Sequence, residues 1–249
     1  MKVLITGDIH ADWKHLNEII NKKRPDIVIC CGDFGYWPVT SWYKDGNGEL
    51  QAIATFAPDA KRIKPYLATK SGQKEVKIYW LPGNHENWWL LEETYKRRAK
   101  EPLQMFEASY LYYCPIGSVL DLNGTKIMFV GGADSIDKHL RTQGFDWFPE
   151  EVLNWGDWEW IEKNVKEEID IVCSHTSPSH FDLTRSGRFD KMEDPSRKML
   201  DAVLEVFQPD MWFFGHWHYE SSGQFKNTQW IGLDYPCHGS GRWWHILEI

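Results

Sequence analysis

Residues 76–86 read VKIYWLPGNHE, in which an apolar run gives way abruptly to proline, glycine, asparagine and histidine. A short apolar run bounded by turn residues is typical of a buried β-strand. The same pattern, a hydrophobic strand followed at once by small, acidic or histidine residues, occurs at four further places. These are Gly7-Asp8-Ile9-His10, Gly32-Asp33, Ser174-His175 and Gly215-His216-Trp217-His218. Because sites in α/β sheets gather at the carboxyl ends of strands, we expect the five segments to meet.

Helical and strand-like segments alternate along the chain. The pattern predicts helices over 14–23, much of 50–68, 89–100, 156–168 and 195–207. It predicts strands over 2–6, 26–31, 76–81, 110–113, 118–122, 126–130, 169–174, 211–214, 229–233 and 243–249. Loops are predicted over 34–48, 131–150 and 176–194, and a hairpin turn at Asn123-Gly124. These elements favour an α/β fold of two sheets packed face to face with helices outside. Since no linker or repeat interrupts the chain, we expect a single domain over 1–249.

Composition narrows the class of protein. Of the 249 residues, 42% are hydrophobic and 26% are charged, as in ordinary globular domains. The formal net charge of −8 argues against a nonspecific binder of nucleic acid backbone, which usually carries a basic face. Five cysteines without a C-x-x-C pair argue against a disulfide framework or a zinc knuckle. No apolar run suffices for a membrane span, and the first residues reach a charge too early for a signal peptide, so we expect a cytoplasmic location.

The residues at the strand ends form a set of candidate metal ligands. Two residues that are two positions apart in an extended segment point the same way, as Asp8 and His10 would. Carboxylates and imidazoles together suit manganese, iron, cobalt, nickel or zinc. An open catalytic site needs three or four protein ligands per ion, so two ions that share a bridging carboxylate fit the count. The seven candidates are Asp8, His10, Asp33, Asn84, His175, His216 and His218.

The order D-x-H, G-D, G-N-H-[DE], H, G-H-x-H, which spans residues 8–218, resembles that of the calcineurin-like metallophosphoesterases, small bacterial or phage-type members in particular. The resemblance implies a four-layer α-β-β-α sandwich of two mixed sheets, with a dimetal site at the strand ends. It implies that Asp33 bridges two ions. The other ligands of the first ion would be Asp8, His10 and His218, and those of the second Asn84, His175 and His216. His85 would contact the phosphate and protonate or stabilise the leaving group.

The implied activity is phosphoester hydrolysis by a hydroxide that two divalent ions share and activate. The substrate would be a phosphodiester, or a nucleotide or small-molecule monoester. We expect manganese, with iron, zinc, nickel and cobalt as alternatives. A metal-binding scaffold without turnover is the alternative function. The segment 32–37 lacks the D-R-G of G-D-x-x-D-R-G protein phosphatases, and the 31 residues after His218 leave no room there for the capping domain of the nuclease branch. The sequence therefore argues against a protein phosphatase and against a nuclease.

Several residues outside the ligand set are candidate substrate contacts. The loop 131–141 reads GGADSIDKHLR, and either Arg141 or His139 would touch the substrate, unless the loop is simply solvated. At least five of the 15 tryptophans flank the motifs, which suggests an aromatic wall that stacks a nucleobase or an aryl leaving group. Trp37 and Trp88 are its named candidates, and core packing is the alternative. The substrate would then be nucleotide-like. Glu86 could orient His85 or a ligand, or could be a solvated carboxylate.

Overall fold

The computed structural model describes residues 1–36, 39–44, 46–47, 50–54, 62–106, 108–183, 194–236 and 241–249. Its strands, numbered β1 to β16 in chain order, have the following bounds: Lys2–Thr6, Ile27–Cys30, Val39–Lys44, Leu50–Ala54, Tyr66–Thr69, Gly72–Glu75, Lys77–Trp80, Leu103–Gln104, Leu111–Tyr113, Ser118–Leu122, Thr125–Val130, Ile171–Ser174, Met211–Phe214, Ser221–Phe225, Thr228–Gly232 and Trp244–Glu248. The helices α1 to α4 are Trp13–Lys23, Trp88–Thr94, Trp155–Asn164 and Pro195–Phe207. Two 3-10 turns, Lys138–Leu140 and Pro149–Glu151, precede α3.

Two six-stranded mixed sheets dominate the described residues. The first sheet has the order β16-β1-β2-β7-β9-β8, and the second has the order β10-β11-β12-β13-β15-β14. Strands β1, β2 and β7 run parallel to one another, as do β11, β12 and β13. The carboxyl ends of β1, β2 and β7 therefore lie at one edge of the first sheet, and those of β12 and β13 lie at one edge of the second.

Alternating side chains of the strands build a core of three apolar clusters, which accounts for four layers. Along β1, the side chains of Val3 and Ile5 enter a cluster that they share with Ile127 and Phe129 of the second sheet. The intervening Leu4 faces the opposite way and packs with residues of α1. On the outer face of the second sheet, residues of α3 and α4 form the third cluster. The two sheets thus pack face to face between helices, which confirms the predicted α-β-β-α sandwich.

Local signals place the helix ends. Asp12 caps α1 by accepting a hydrogen bond from the backbone N–H of His15, and Asp194 caps α4 by accepting one from Ser196, with Pro195 at the first helical position. Asn154 and Asp157 form a capping box at the start of α3. Two helices are shorter than predicted. Helix α2 ends at Thr94 rather than near residue 100 because Tyr95 is extended, and α3 ends at Asn164.

The prediction of a helix over much of 50–68 is wrong for the part that the structure describes, and residues 55–61 lie outside the described residues. Strand β4 begins at Leu50 and pairs antiparallel with β3, which lies inside the predicted loop 34–48. Strand β5, Tyr66–Thr69, pairs with β6 in a second small hairpin. Short apolar runs do not distinguish strand from helix by periodicity, and here local hairpin pairing decides. In contrast, the Asn123-Gly124 turn is confirmed, since both residues have positive φ and join β10 to β11.

Candidate metal centre

The loops that follow β1, β2, β7, β12 and β13 bring the predicted ligands to one place. The first group is Asp8, His10, Asp33 and His218, whose ligand atoms all lie within 4.8 Å of one another. His218 Nε2 is 2.9 Å from Asp8 Oδ2, and His10 Nε2 is 3.7 Å from Asp33 Oδ2. Asp8 and Asp33 are buried, while the two histidines are partly exposed. The two aspartates of the group are therefore buried in the protein, and its two histidines lie on the side that is open to solvent.

The second group forms around the side-chain oxygen of Asn84. This Oδ1 atom lies 2.9 Å from His175 Nε2 and 3.0 Å from His216 Nδ1, and His175 Nε2 lies 3.5 Å from Asp33 Oδ1. His175 Nδ1 donates to the carbonyl oxygen of Cys31, so its Nε2 keeps a lone pair. Lone pairs on a ring nitrogen and an amide oxygen thus face each other, an arrangement that a cation between them satisfies. The donor atoms fit a divalent transition metal.

Asp33 lies between the two groups and presents a different oxygen to each. Its Oδ2 faces His10, and its Oδ1 faces His175. Oδ1 also accepts a hydrogen bond of 2.9 Å from the backbone N–H of His85. The side chain is 1% exposed, so its orientation is fixed by packing as well as by these contacts. This geometry is what a carboxylate shared by two ions requires.

The backbone at the site is unusual in the way that functional loops often are. His10, Asp33, His216 and His218 all have positive φ, between 42° and 67°. The motif glycines allow the loops to approach closely. A Cβ atom on Gly83 would lie 2.1 Å from Asp33 Oδ1, and one on Gly215 would lie 2.0 Å from Asp8 Oδ1. Any larger residue at these two positions would displace a candidate ligand.

The electrostatics of the site keep the carboxylates ionised and His216 neutral. Burial alone would raise the pKa of Asp8, but the hydrogen bond from His218 and the nearby His175 hold it below the usual range. Burial opposes the ionisation of Asp33 as well, and the surrounding histidines lower its pKa. Burial lowers the pKa of His216 to about 3. Ionised carboxylates and neutral imidazoles are the forms that bind a metal ion.

His85 and Arg141 form a second functional pair beside the ligands. His85 is partly buried, its ring centroid lies 5.2 Å from that of His10, and Arg141 Nη2 donates to its Nε2 over 2.9 Å. Arg141 Nε in turn contacts Asp137 Oδ1 at 2.9 Å. Burial, with a contribution from Arg141, lowers the pKa of His85. The arrangement places one neutral imidazole and one guanidinium at the edge of the ligand groups.

Glu86 is buried and ties two of the ligand loops together. Its Oε1 accepts a hydrogen bond from Gly35 N at 2.9 Å, and its Oε2 accepts one from Gly83 N at 2.5 Å. Burial and the nearby Asp33 raise its pKa to about 8. The alternative of a solvated carboxylate is therefore wrong. Glu86 holds the loop after β2 against the loop that carries Asn84 and His85.

The tryptophans near the motifs are mostly core residues. Trp88 is completely buried, and its Nε1 donates to Gly83 O, so the prediction that its ring contacts substrate is wrong. Trp13 and Trp217, at 2% and 5% exposed, also pack in the core. Trp89 is half exposed and donates to Glu150. Trp37 lies outside the described residues. The four described members of these five do not form an aromatic wall, because Trp13, Trp88 and Trp217 are each at most 5% exposed.

Two features of the site were not predicted from the sequence. The ring of Tyr235 lies 4.5 Å from that of His218 and 6.0 Å from that of His10, at the open side of the first group. His139, which the sequence analysis named as a candidate substrate contact, is exposed on the 3-10 turn Lys138–Leu140. An aspartate-tyrosine step before a β-rich tail carries no local signal, so only the fold reveals that Tyr235 reaches the ligands.

The second unpredicted feature is a buried hydrogen-bond chain behind Asn84. Asn84 Nδ2 donates to Ser135 Oγ, the backbone N–H of Ser135 donates to Glu151 Oε1, and Trp147 Nε1 donates to the same oxygen. Glu151 is completely buried, and burial raises its pKa to about 7. These hydrogen bonds orient the side-chain amide of Asn84 so that its oxygen faces the histidines.

Replacing Glu151 with glutamine is expected to change the pH dependence of stability. Because the pKa of Glu151 is about 7 in the fold and near 4.5 in an unfolded chain, its contribution is fully present below pH 4.5 and is lost as the pH rises through 7. The loss corresponds to about 3 kcal/mol. Urea unfolding at pH 4.5–9 with a chelator present should show this decline in wild type and a smaller one in Glu151→Gln. Glu159→Gln, an exposed change on α3, should follow wild type; equal slopes in all three proteins would contradict the prediction.

Comparisons with known proteins agree with the fold. The family model described as calcineurin-like phosphoesterase matches residues 1–220. The chain is 25% identical over 286 residues to the lariat debranching enzyme of Arabidopsis thaliana, a match that covers 100% of this chain and 63% of that protein. It is 26% identical over 246 residues to the lariat debranching enzyme of Danio rerio, covering 88% of this chain and 40% of that protein. The chain thus spans less than two thirds of the length of these relatives.

Solved structures show the same fold. The crystal structure of TT1561 from Thermus thermophilus matches with a TM-score of 0.52 at 11% identity, and the match covers 94% of this chain and 89% of that chain. At this identity the likeness concerns the fold alone.

Among the described residues, none of the helices is long and apolar enough to cross a membrane.

Proposed function

Since this chain belongs to the calcineurin-like phosphoesterase family, whose model matches residues 1–220, we propose that it is a divalent-metal-dependent phosphoester hydrolase. The observation that carries the proposal is the position of Asp33. Its two oxygens face two different groups of nitrogen and oxygen donors. A single-ion site or a purely structural histidine cluster has no need for a buried carboxylate oriented in this way.

Each ligand group would hold one ion. The first comprises Asp8, His10 and His218, the second Asn84, His175 and His216, and both would share Asp33. Two bound divalent ions would supply positive charge for the phosphate oxygens and an activated water. Manganese is our proposed metal, and iron, zinc, nickel and cobalt also suit carboxylate and imidazole donors.

The single domain over 1–249 and the cytoplasmic location expected from the sequence stay predictions.

The chain's own residues would bind the phosphate and manage one proton. Arg141 carries a permanent positive charge beside His85, so its guanidinium would donate to a phosphate oxygen. His85 would then lose the hydrogen bond that Arg141 donates to its Nε2, and this nitrogen could take up a proton from water. A protonated His85 at the edge of the site can deliver that proton to the oxygen of the departing group. Glu86 keeps His85 in place through the loop that it anchors.

We propose a phosphodiester as the bond that is cleaved, in a nucleic-acid-derived substrate. The curated relatives are named for lariat debranching, which supports this class over an isolated small-molecule monoester. The acidic net charge of the chain speaks against broad backbone affinity. The protein would therefore recognise its substrate only near the metal centre, which suits a short oligonucleotide or the end of a longer strand.

Removing the metals should abolish turnover reversibly. After dialysis against a chelator, hydrolysis of bis(p-nitrophenyl) phosphate is expected to fall to background, because an unassisted water is a poor nucleophile. Added manganese should restore activity, with kcat/KM at least about tenfold higher for this diester than for p-nitrophenyl phosphate, a preference of about 1.4 kcal/mol. Metal content measured alongside should approach two ions per chain.

Three outcomes distinguish the functions. A preference for the diester supports the proposal, and a preference for the monoester would identify a phosphatase instead. A protein that binds two ions but hydrolyses neither ester with manganese, iron, zinc, nickel or cobalt would be the metal-binding scaffold. Asp210→Asn, an exposed change at the amino end of β13, serves as the control for handling and refolding.

A further inference from the structure

A small pocket opens beside the second ligand group, and none of the roles assigned above places any part of the substrate in it. Its volume is about 230 Å³. This is below the roughly 300–1,000 Å³ of pockets that enclose a drug-sized ligand, so it suits one ring of a larger molecule. Among the described residues, the lining is formed by Asp134, Ser135, Ile136, Lys138, Asp194, His216 and Trp217.

The pocket is continuous with the metal centre. His216 belongs to both, and Ser135 accepts a hydrogen bond from the ligand residue Asn84. A phosphoester whose phosphate lies at the ligands therefore has one of its substituents within reach of this pocket. The 3-10 turn at Lys138 forms one wall, and the start of α4 at Asp194 forms the other.

Asp194 is the unusual member of the lining. It is only 6% exposed, and its Oδ1 is used as the cap of α4, where it accepts from Ser196 N at 2.8 Å. Its Oδ2 is buried and has no hydrogen-bond partner among the described residues. A buried carboxylate oxygen without a donor is costly, and burial together with Asp134 raises the pKa of Asp194. A donor supplied by a ligand would relieve this cost.

The other charged groups of the pocket are already paired. Lys138 Nζ contacts both oxygens of Asp134 at 2.7 Å. Arg197 does not line the pocket but lies behind Trp217: its guanidinium is 5.2 Å from the centroid of that ring and donates to the carbonyl oxygens of Ser177 and Pro178. Asp194 Oδ2 is thus a buried acceptor without a hydrogen-bond partner among the described residues, in a residue that lines the pocket.

We propose that this pocket binds the nucleoside part of the substrate, and that Asp194 Oδ2 selects a ring bearing a hydrogen-bond donor. The donor is either a sugar hydroxyl or an exocyclic amino group of the base. The inference rests on the proposed function for the position of the phosphate. A site built around one buried acceptor rejects ligands that leave it unpaired, because the cost falls on the bound state.

Calorimetric binding to the manganese-loaded protein tests the proposal without requiring turnover. The ligands are guanosine 5′-phosphate, its 2′-deoxy analogue, inosine 5′-phosphate (which lacks the amino group) and inorganic phosphate. Wild type should bind guanosine 5′-phosphate at least about tenfold more tightly than inorganic phosphate, as expected for a donor to a charged acceptor. Weaker binding of the deoxy analogue would assign the donor to the sugar, and weaker binding of the inosine analogue would assign it to the base.

The variant Asp194→Asn isolates the contribution of Oδ2. Asparagine is an equally good helix cap, so its oxygen can keep the bond to Ser196 while its amide nitrogen replaces Oδ2. The advantage of guanosine 5′-phosphate over inorganic phosphate should fall about tenfold. Asp194→Ser, which also caps, should show the same loss, and the exposed Glu205→Gln on the same helix should show none.

The outcomes separate this inference from the proposed function. If wild type does not discriminate among the four ligands, or if both Asp194 variants discriminate as wild type does, the inference is overturned. Absence of diester hydrolysis by wild type would refute the proposed function alone, since binding is measured independently. Thermal unfolding of the variants at the wild-type temperature would show that the loss does not come from a damaged α4.

Discussion

Asp33→Asn is expected to lower kcat/KM for bis(p-nitrophenyl) phosphate by about a thousandfold or more. Asparagine keeps one acceptor oxygen but replaces the other with an amide nitrogen, so it can face only one of the two ligand groups. It also tolerates the positive φ of this position, so the loop should keep its shape. Loss of one metal ion removes several kcal/mol of transition-state stabilisation, and each step of about 1.36 kcal/mol is a factor of ten in rate.

Metal content is the decisive companion measurement. Two ions per chain in wild type should become one or fewer in Asp33→Asn, while Asp210→Asn keeps two. An Asp33→Asn protein that retains two ions and full activity would show that this carboxylate does not bridge. A protein with two ions and low activity would instead assign Asp33 to the positioning of His85, from whose backbone N–H it accepts a hydrogen bond.

The second large effect is expected at His85. His85→Asn should lower kcat by about 10²–10⁴-fold, the usual contribution of a general acid or base, without changing the metal content. The loss should grow as the leaving group becomes a poorer one, because p-nitrophenolate departs without a proton and a phenolate or alkoxide needs one. The comparison therefore uses diesters with p-nitrophenyl, phenyl and methyl leaving groups.

One control variant and two further outcomes test this second prediction. His180→Asn removes a histidine that pairs with Asp201 Oδ1 at 2.7 Å, away from the ligands, and should leave kcat unchanged. A loss in His85→Asn that is equal for all three leaving groups would contradict proton delivery and would point to phosphate binding. Parallel losses of metal would show that His85 acts on the ligand loop and not on the substrate.

Much of the fold could be predicted because the signals are local. Strand β7 and the turn at Pro82-Gly83 are visible in eleven consecutive residues, and the cap Asp194 with Pro195 marks the start of α4. The hairpins β3–β4 and β5–β6 could not be predicted in the same way. Short apolar runs such as Leu50–Ala54 are compatible with helix or strand, and the choice depends on which partner lies alongside.

The candidate ligands were also predicted from the sequence, because each follows a strand directly and belongs to a residue type that metals prefer. The environment of the aromatic residues was not. Trp88 stands two residues after the Asn-His-Glu step and looks like a wall of the site, yet its ring is fully buried beneath it. Position along the chain indicates proximity to the motif, and the direction of a side chain depends on packing from distant segments.

Residue types and turn signals were enough to predict which side chains the candidate site contains, and that the ends of parallel strands would bring them together. How the atoms of these side chains face one another follows only from the fold. His10 and His218, 208 positions apart, meet at 3.1 Å between their Nε2 atoms. This convergence places Asp33 between two ligand groups, connects Glu151 to Asn84 through Ser135, and brings Asp194, whose buried Oδ2 has no hydrogen-bond partner among the described residues, into the lining of a pocket. The physical reason is that residue type and local turns are short-range properties, whereas burial and the pairing of buried polar atoms are set by contacts between segments remote in sequence.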